Sequence, residues 1–228
     1  IRLLIILFLI IFVQRSFSQN IETDTTKIAT LSEVVVSVNK TEETKRTVAQ
    51  QVQVIKANQI ANLQSQTTAD LLANSGNVLI QKSQLGGGSV TIRGFEANRN
   101  VLVIDGIRMN NLIYRGGHLQ NVISTDNAIL DKLEVLFGTA SVAYGSDALG
   151  GVMSFYTKKP FLSNANNTVT SGNAFVRYSS AYNEKTGHAD ISIGGNKIAS
   201  LTSFTFSDFE DLHQGKNHYS SYLNFGKR

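Results

Sequence analysis

The chain has 228 residues, a length that allows one or two domains with buried cores. It contains no cysteine, which excludes a disulfide, a thiolate nucleophile and a cysteine-ligated metal site within this sequence. The net charge is +4, but the basic residues form no polybasic block, so no nucleic-acid partner is expected.

The first segment predicts export. Arg2 precedes an uninterrupted apolar run over residues 3–13. The run is shorter than the ~20 residues of a membrane-spanning helix, and its length suits the apolar region of a signal peptide. Ser16 and Ser18 provide the small residues that a signal peptidase requires, so residues 1–18 are predicted to be a cleaved signal peptide. A buried core helix or strand is the alternative.

Residues 19–50 are mostly polar and predict a flexible leader with one valine-rich segment inside it. That segment, residues 31–38, contains three consecutive valines, which favour extended backbone. A short strand next to a flexible leader can add itself to the exposed sheet edge of another protein. The alternative is an ordinary first strand of the next domain, and the local sequence leaves both readings open.

Residues 51–160 carry strand, helix and turn signals that predict a small α+β domain. The predicted elements are a strand at Val52–Ile55, a helix capped by Asn58 and running to Leu63, a helix at Thr67–Ala73 closed by Ser75-Gly76, a strand at Val78–Ile80, a loop at Gly86-Gly87-Gly88, strands at Ser89–Arg93 and Val101–Ile104, a turn at Asp105-Gly106 into Ile107–Met109, a helix turning into a strand at Leu130–Phe137, and a strand at Leu149–Lys158.

Residues 161–228 alternate between apolar and polar side chains and carry no helix signal. Val176 and Tyr178 share one face of a predicted strand, and Arg177 and Ser179 share the other. Strands of about 10 residues with apolar side chains outward and polar side chains inward are typical of a transmembrane β-barrel, although a soluble β-sandwich also alternates. The strands are predicted to begin near residue 172, to turn at Asn196-Lys197 and to enter a longer loop at 208–217.

Four elements in this order resemble the TonB-dependent outer-membrane receptors. They are residues 31–38, which resemble the TonB box; Thr91-Ile92-Arg93-Gly94-Phe95, which resembles the IRG element of the plug; residues 101–108 (VLVIDGIR), which resemble its VLVDGVR hairpin; and residues 133–157, which resemble the IEVIRGPASALYGSGAIGGVINIITK element. The resemblance covers residues 19–160, and the remainder matches by pattern. Two positions depart from it, since Phe137 replaces a common Arg and Thr139 replaces a common Pro.

The resemblance implies an α+β plug domain followed by the first antiparallel strands of a truncated transmembrane β-barrel. A barrel of about 22 strands has a lumen wide enough to need a plug. The implied location is the outer membrane, in contact with its lipid, with the plug inside the barrel and the N-terminus in the periplasm. Arg93 and Glu134 would pair with barrel charges beyond residue 228. The residues implied to bind a TonB-type energy-coupling protein are Leu31, Glu33, Val34, Val35, Val36 and Val38.

The resemblance also implies an apical plug loop at residues 110–121 that faces the substrate. Tyr114, Arg115 and His118 lie within five residues of each other, in a stretch similar to receptors for haem and haemoproteins. An imidazole or phenolate can bind ferric haem iron, and an arginine can pair with a propionate. His118 is therefore a candidate haem-iron ligand; the alternative is an ordinary loop residue.

The function predicted from the sequence is active import of a scarce iron complex, with haem or haemoprotein-derived iron favoured. The alternatives are a ferric-siderophore or cobalamin receptor and, in a different class, a surface adhesin or passive barrel protein. No permanently bound cofactor and no resident metal are expected, since haem would be the substrate. No catalytic residue is assigned, because the histidines and serines occur outside the HExxH and GxSxG spacings, namely His118, His188, His213, His218, Ser89 and Ser146.

Overall fold

The computed structural model describes residues 33–82, 88–109, 125–163 and 167–211. In chain order its strands are β1 (Val34–Val35), β2 (Glu43–Thr44), β3 (Val52–Lys56), β4 (Leu79–Lys82), β5 (Gly88–Thr91), β6 (Asn100–Ile104), β7 (Ile107–Arg108), β8 (Leu130–Phe137), β9 (Gly151–Thr157), β10 (Val169–Ser179), β11 (Glu184–Gly194) and β12 (Ala199–Asp208). Its helices are α1 (Ala57–Leu63), α2 (Thr68–Asn74) and α3 (Ser141–Tyr144), with 3₁₀ turns at Ala97–Arg99 and Asn127–Ile129.

A five-stranded mixed sheet forms the centre of the first part, in the order β3-β8-β9-β6-β7. β6 and β9 run parallel, and the other neighbours are antiparallel. The pairs β1-β2 and β4-β5 form two small separate sheets. The sheet with α1 and α2 confirms the predicted α+β character, because helices and mostly antiparallel strands occur in one compact unit.

The two longer helices begin and end close to their predicted positions, with one correction. Asn58 was predicted to cap α1, and this is wrong: the helix begins at Ala57, and the Gln59 side chain accepts a hydrogen bond of 3.0 Å from the Lys56 backbone N–H. Asn58 therefore lies inside the first turn. α2 begins one residue after its predicted start, and the Thr67 hydroxyl caps it by accepting a hydrogen bond from the Asp70 N–H.

The prediction of a helix turning into a strand at Leu130–Phe137 is also wrong, because β8 is a strand over its whole length. β8 lies between β3 and β9, so its backbone N–H and C=O groups are paired on both edges. Pairing with two neighbours outweighs a weak local preference for helix.

The Asp105-Gly106 turn is confirmed. Ile104 pairs with Ile107 across it, and both turn residues have positive φ, 47° for Asp105 and 84° for Gly106. Two consecutive positive φ angles are the geometry of a type I′ turn, which suits the twist of a two-residue hairpin. The Asp105 carboxylate also accepts hydrogen bonds from the Thr157 backbone N–H and hydroxyl.

Buried apolar side chains form two clusters against the central sheet. The first lies under α1 and α2 and includes Leu71, Leu133 and Phe155. The second contains residues of the N-terminal segment, among them Val35, together with Val152 of β9. The N-terminal segment therefore contributes to the core of the domain from residue 35 onward.

β10, β11 and β12 form a separate antiparallel sheet whose two faces differ in polarity. The first strand begins at Val169, close to the predicted residue 172, and the Gly195–Ile198 turn contains the predicted Asn196-Lys197. The large apolar side chains that this sheet leaves exposed are Val169, Val176, Tyr178, Ile191, Ile193, Phe204 and Phe206. Its other face carries buried polar side chains, including Glu184, Thr186 and His188. The predicted alternation of the two faces is present.

Candidate functional site

The valine-rich segment is folded against the domain. Val34 pairs with Thr44 and Val35 with Glu43. The Val35 side chain is fully buried, whereas the Val34 side chain is exposed. Leu31, which the sequence analysis assigned to the same segment, lies outside the described residues. The structure thus gives residues 34–35 the form of a strand already paired within the chain.

Glu33 ties the start of this segment to the next two elements. Its carboxylate accepts a hydrogen bond from Lys45 at 2.8 Å and lies 3.6 Å from the Lys56 ammonium. The hydrogen bond from Lys45 lowers the pKa of the Glu33 carboxyl below its ordinary value, and Lys56 adds to the effect against the opposing influence of burial. Glu33 is therefore held ionised and in place at neutral pH.

Glu134 lies beneath the segment, in the middle of the central sheet. Its side chain is fully buried. One carboxylate oxygen accepts hydrogen bonds from the backbone N–H groups of Val36 at 3.0 Å and Ser37 at 2.8 Å. The other accepts from the Lys132 ammonium at 2.7 Å. A buried carboxylate is tolerated only when it is paired in this way.

Two tyrosines complete the surroundings of Glu134. The Lys132 ammonium lies 4.8 Å from the centre of the Tyr156 ring, a cation–π contact. Burial raises the pKa of both Tyr144 and Tyr156 above the ordinary phenol value, and the negative charge of Glu134 raises both further. Both phenols are therefore neutral at physiological pH, and the ion pair of this cluster is the contact between Lys132 and Glu134.

Arg93, the other residue predicted to contact a barrel, lies on a tight turn with φ of 51°. Its guanidinium donates to the Gln51 side chain at 2.6 Å and lies 5.6 Å from the centre of the Phe137 ring. Phe137 occupies the position at which the resembling receptors often have Arg. The predicted pairing of Arg93 and Glu134 with barrel charges beyond residue 228 stays a prediction.

The polar face of the sheet formed by β10, β11 and β12, called the inner face below, contacts the preceding α+β domain, called the first domain below. Arg177 donates to one oxygen of Glu184 through Nε at 2.9 Å and Nη2 at 2.6 Å. Arg177 Nη1 also donates to the Ser65 carbonyl at 3.1 Å, and the Gln66 amide donates to the second Glu184 oxygen at 2.6 Å. The loop between α1 and α2 is thereby tied to β10 and β11.

A second connection between the sheet and the first domain centres on His188. Its ring nitrogens lie 2.7 Å from the Thr205 hydroxyl and 3.0 Å from the Asp190 carboxylate. Asp190 in turn pairs with the Lys158 ammonium at 2.8 Å, and the Thr205 hydroxyl donates to Asp126. The result is a hydrogen-bonded chain with both ends in the first domain and its middle in β11 and β12.

This network was not predicted from the sequence, because the histidines were compared only with metal-binding and catalytic spacings. The signal that was available is the alternation along β11, which places His188 and Asp190 on the same face as Glu184. A cavity of about 350 Å³ lies between α1 and this polar face, lined by residues that include Asn173, Arg177 and Lys158. Because polar side chains line this cavity, it is expected to hold water, unlike a cavity in an apolar core.

The predicted substrate-facing residues Tyr114, Arg115 and His118 lie outside the described residues. Within the described ranges no group of three His, Cys, Asp or Glu side chains is placed to hold a metal ion. No helix in the same ranges combines the length and apolarity that crossing a membrane requires.

Residues 44–152, just under half of the chain, match the TonB-dependent receptor plug domain family. The vitamin B12 transporter BtuB of Vibrio vulnificus is 33% identical over 135 residues, which are 58% of this chain and 21% of that protein. The chain therefore spans about a fifth of the length of the curated relatives it matches.

Two solved structures share the fold at low identity. The pyoverdine outer membrane receptor FpvA of Pseudomonas aeruginosa aligns with a TM-score of 0.67 and 19% identity, over 78% of this chain and 25% of that chain. The alcaligin outer membrane receptor FauA of Bordetella pertussis aligns with a TM-score of 0.60 and 20% identity, over 78% of this chain and 29% of that chain. A plug domain of mixed α/β content followed by antiparallel strands, the predicted fold class, is confirmed.

Proposed function

We propose that this chain, whose residues 44–152 match a TonB-dependent receptor plug domain, is the N-terminal part of an outer-membrane receptor that imports a scarce solute actively. The plug would lie inside the barrel that β10 to β12 begin, with the N-terminus in the periplasm. Residues 1–18 would be removed on export, so N-terminal sequencing of the mature receptor is expected to start near Gln19.

The observation that carries this proposal is the polarity of the three-stranded sheet. Its inner face bonds to the plug through Arg177, Glu184 and Asp190, while its outer face leaves Val176 and Phe204 exposed. In a transmembrane barrel the apolar outer side chains of the sheet contact lipid, and the polar inner side chains face the lumen, which here would hold the plug. A soluble sandwich would bury the apolar face against a second sheet instead.

The valine-rich segment is proposed to bind the energy-coupling protein of the TonB type by strand addition. Strand addition requires free backbone N–H and C=O groups. In the structure residues 34–35 are paired with β2 on one edge, and the Val36 and Ser37 N–H groups donate to Glu134, so these two donors must be released before they can pair with a partner. The proposal therefore includes a docked and a released form of residues 31–38.

The test removes the segment from the full-length receptor. Deletion of residues 31–38 is expected to abolish uptake and to leave substrate binding intact, because the substrate binds at the opposite end of the plug. Val35→Pro should act similarly, since proline removes a backbone donor. Glu42→Pro, at an exposed position outside the segment, is the matched control. Uptake that survives both changes would contradict the coupling role and favour a passive barrel.

The cargo is proposed to be a ferric siderophore or a cobalamin. The relatives reported above carry vitamin B12, pyoverdine and alcaligin in their names, and this supports these two classes over haem. The sequence-based preference for haem depends on Tyr114, Arg115 and His118 and on the similarity of their stretch to receptors for haem and haemoproteins. Binding of cobalamin, of a ferric hydroxamate siderophore and of haem by the purified full-length receptor would separate the three classes.

His118→Ala provides the decisive comparison for haem. If His118 binds the iron, the variant loses haem affinity and its haem Soret band shifts, while siderophore and cobalamin binding stay unchanged. A siderophore already saturates its iron and needs no protein ligand. An unchanged haem spectrum in His118→Ala would remove the haem interpretation.

A further inference from the structure

Residues 34–38 are held against the plug by one apolar and one polar set of contacts. The apolar set is the burial of Val35 and Val38 in the cluster that also contains Val152. The polar set is the pair of hydrogen bonds from the Val36 and Ser37 backbone N–H groups to Glu134. The apolar set fixes where the segment lies, and the polar set occupies backbone donors that a strand-adding partner would need.

The position of Glu134 makes the polar contact unusual. β8 lies in the interior of the five-stranded sheet, where Glu134 is flanked by Val54 of β3 and Ser154 of β9. A carboxylate at such a buried site is costly unless its oxygens are satisfied. Lys132, two residues away on the same strand, supplies one partner, and the N-terminal segment almost a hundred residues earlier supplies two.

The carboxylate and the segment therefore depend on each other. If residues 36–37 leave, Glu134 loses two donors at a site that the sheet closes on both sides. If Glu134 is neutral or shorter, the segment loses two charge-assisted hydrogen bonds, which are stronger than neutral ones. The burial of Val35 and Val38, the pairing of β1 with β2 and the Glu33 contacts then keep it docked.

We infer that Glu134 is a positioning residue that holds residues 34–38 docked on the plug, and that it sets the fraction of receptors whose segment is released for the energy-coupling partner. The inference rests on the proposed coupling role of this segment. The Val36 and Ser37 N–H groups cannot donate to Glu134 and to a partner strand at once, so the docked and partner-bound forms exclude each other.

The test measures release directly, without transport. Val35→Cys is introduced into the full-length receptor in outer-membrane fragments, and its labelling by a water-soluble maleimide is timed. Position 35 is fully buried when the segment is docked, so labelling reports the released form. The receptor without the introduced cysteine gives the background. Val152→Cys, fully buried in the same cluster, reports whether the plug itself remains folded.

Glu134→Gln keeps the size of the side chain and removes its charge, and it is expected to raise the labelling rate at position 35 about tenfold or more. Position 152 is expected to stay protected. Glu134→Asp keeps the charge and withdraws the oxygens by one methylene, so an intermediate rate is expected. It also serves as the second variant if Glu134→Gln exposes position 152.

Lys132→Gln is the matched control, because it removes the ion pair and keeps both carboxylate–amide hydrogen bonds. Its labelling rate at position 35 should rise clearly less than that of Glu134→Gln, in which both hydrogen bonds from the segment lose their charge assistance. Unchanged labelling in both Glu134 variants overturns the inference. An equal rise in Lys132→Gln and Glu134→Gln also overturns it, because the ion pair alone would then explain docking.

A separate arm distinguishes failure of the inference from failure of the proposed function. Crosslinking of Val35→Cys to the energy-coupling protein is measured in the same variants. Crosslinking that rises with labelling supports both. Labelling that rises without any crosslinking supports the role of Glu134 in docking and contradicts the coupling role of the segment.

Discussion

The contact between the plug and strands β10 and β11 can be tested by measuring how much the buried Arg177–Glu184 pair contributes to the free energy of unfolding. Glu184 is fully buried, and two guanidinium nitrogens of Arg177 lie within 2.9 Å of one of its oxygens. Arg177→Met leaves that carboxylate without its cation. Removing one partner of a buried ion pair costs about 3–5 kcal/mol, and the lost hydrogen bond to the Ser65 carbonyl adds about 1 kcal/mol. The free energy of unfolding is expected to fall by about this amount.

A double-mutant cycle separates the pair from other effects of the substitutions. Glu184→Gln removes the charge with little change in shape, and the double variant Arg177→Met/Glu184→Gln leaves no buried charge. The two single costs should therefore exceed the cost of the double variant by about 1–3 kcal/mol. The measurement is denaturant unfolding of the full-length receptor in detergent, followed by the β-strand circular dichroism signal.

Lys185→Met is the control for the loss of a positive charge next to the pair, because Lys185 is exposed and should change stability by less than about 0.5 kcal/mol. Single costs that add within about 0.5 kcal/mol would contradict the account, since additive effects mean that Arg177 and Glu184 do not interact. The polar inner face would then not be a structural contact between strands and plug.

Three further predictions concern the plug. Gly151→Ala places a Cβ in steric overlap with the Leu136 carbonyl oxygen, so the strands must shift, and the denaturation midpoint should fall by the equivalent of about 1–3 kcal/mol. Gly106→Ala strains a residue with φ of 84° and should cost about 1–2 kcal/mol in the same assay, whereas Gly106→Asn should cost less. The Glu33–Lys45 contact contributes stability that is present above the usual carboxyl pKa of 4.5 and is lost as the pH falls through the lowered pKa. Hydrogen-exchange protection of residues 33–45 should therefore weaken in that acidic range. Glu33→Gln should remove this pH dependence.

The turn at Asp105-Gly106 and the helix over Thr67–Ala73 could be predicted because their causes are local. The positive φ angles at Asp105 and Gly106 follow from residue types that tolerate them, and Thr67 caps α2 through its own hydroxyl. The start of α1 was missed by two positions, because Lys56 and not Asn58 is the N-cap, and the Gln59 side chain accepts a hydrogen bond from the Lys56 N–H.

Contacts between distant parts of the chain were beyond the sequence pattern. Whether Leu130–Phe137 is helix or strand depends on β3 and β9, which lie far from it in sequence. The hydrogen bonds from Val36 and Ser37 to Glu134 join residues almost a hundred positions apart. The family resemblance named Glu134 as a barrel contact and gave no indication of this closer partner.

The polar network of the strands was visible only in part. Alternation placed Arg177 and Ser179 on one face, which the structure bears out. It did not pair His188 and Asp190 with Lys158 and Asp126, because such pairs depend on how the sheet lies on the plug. Faces follow from periodicity, whereas partners require the packed structure.

The account depends most on β10 to β12 being membrane strands that enclose a plug, and accessibility along β11 tests this directly. Single cysteines at residues 185–193 of the full-length receptor carry spin labels, and their collisions with oxygen and with a water-soluble nickel complex are measured in lipid vesicles. If these strands enclose a plug, labels at Ala189, Ile191 and Ile193 should contact lipid. Labels at His188 and Asp190 should either contact water or be protected from both reagents, so the two patterns should alternate strictly along the strand. Water contact at all three outward positions would contradict it, and so would protection from both reagents there, which is the result expected for a soluble sandwich whose second sheet covers this face.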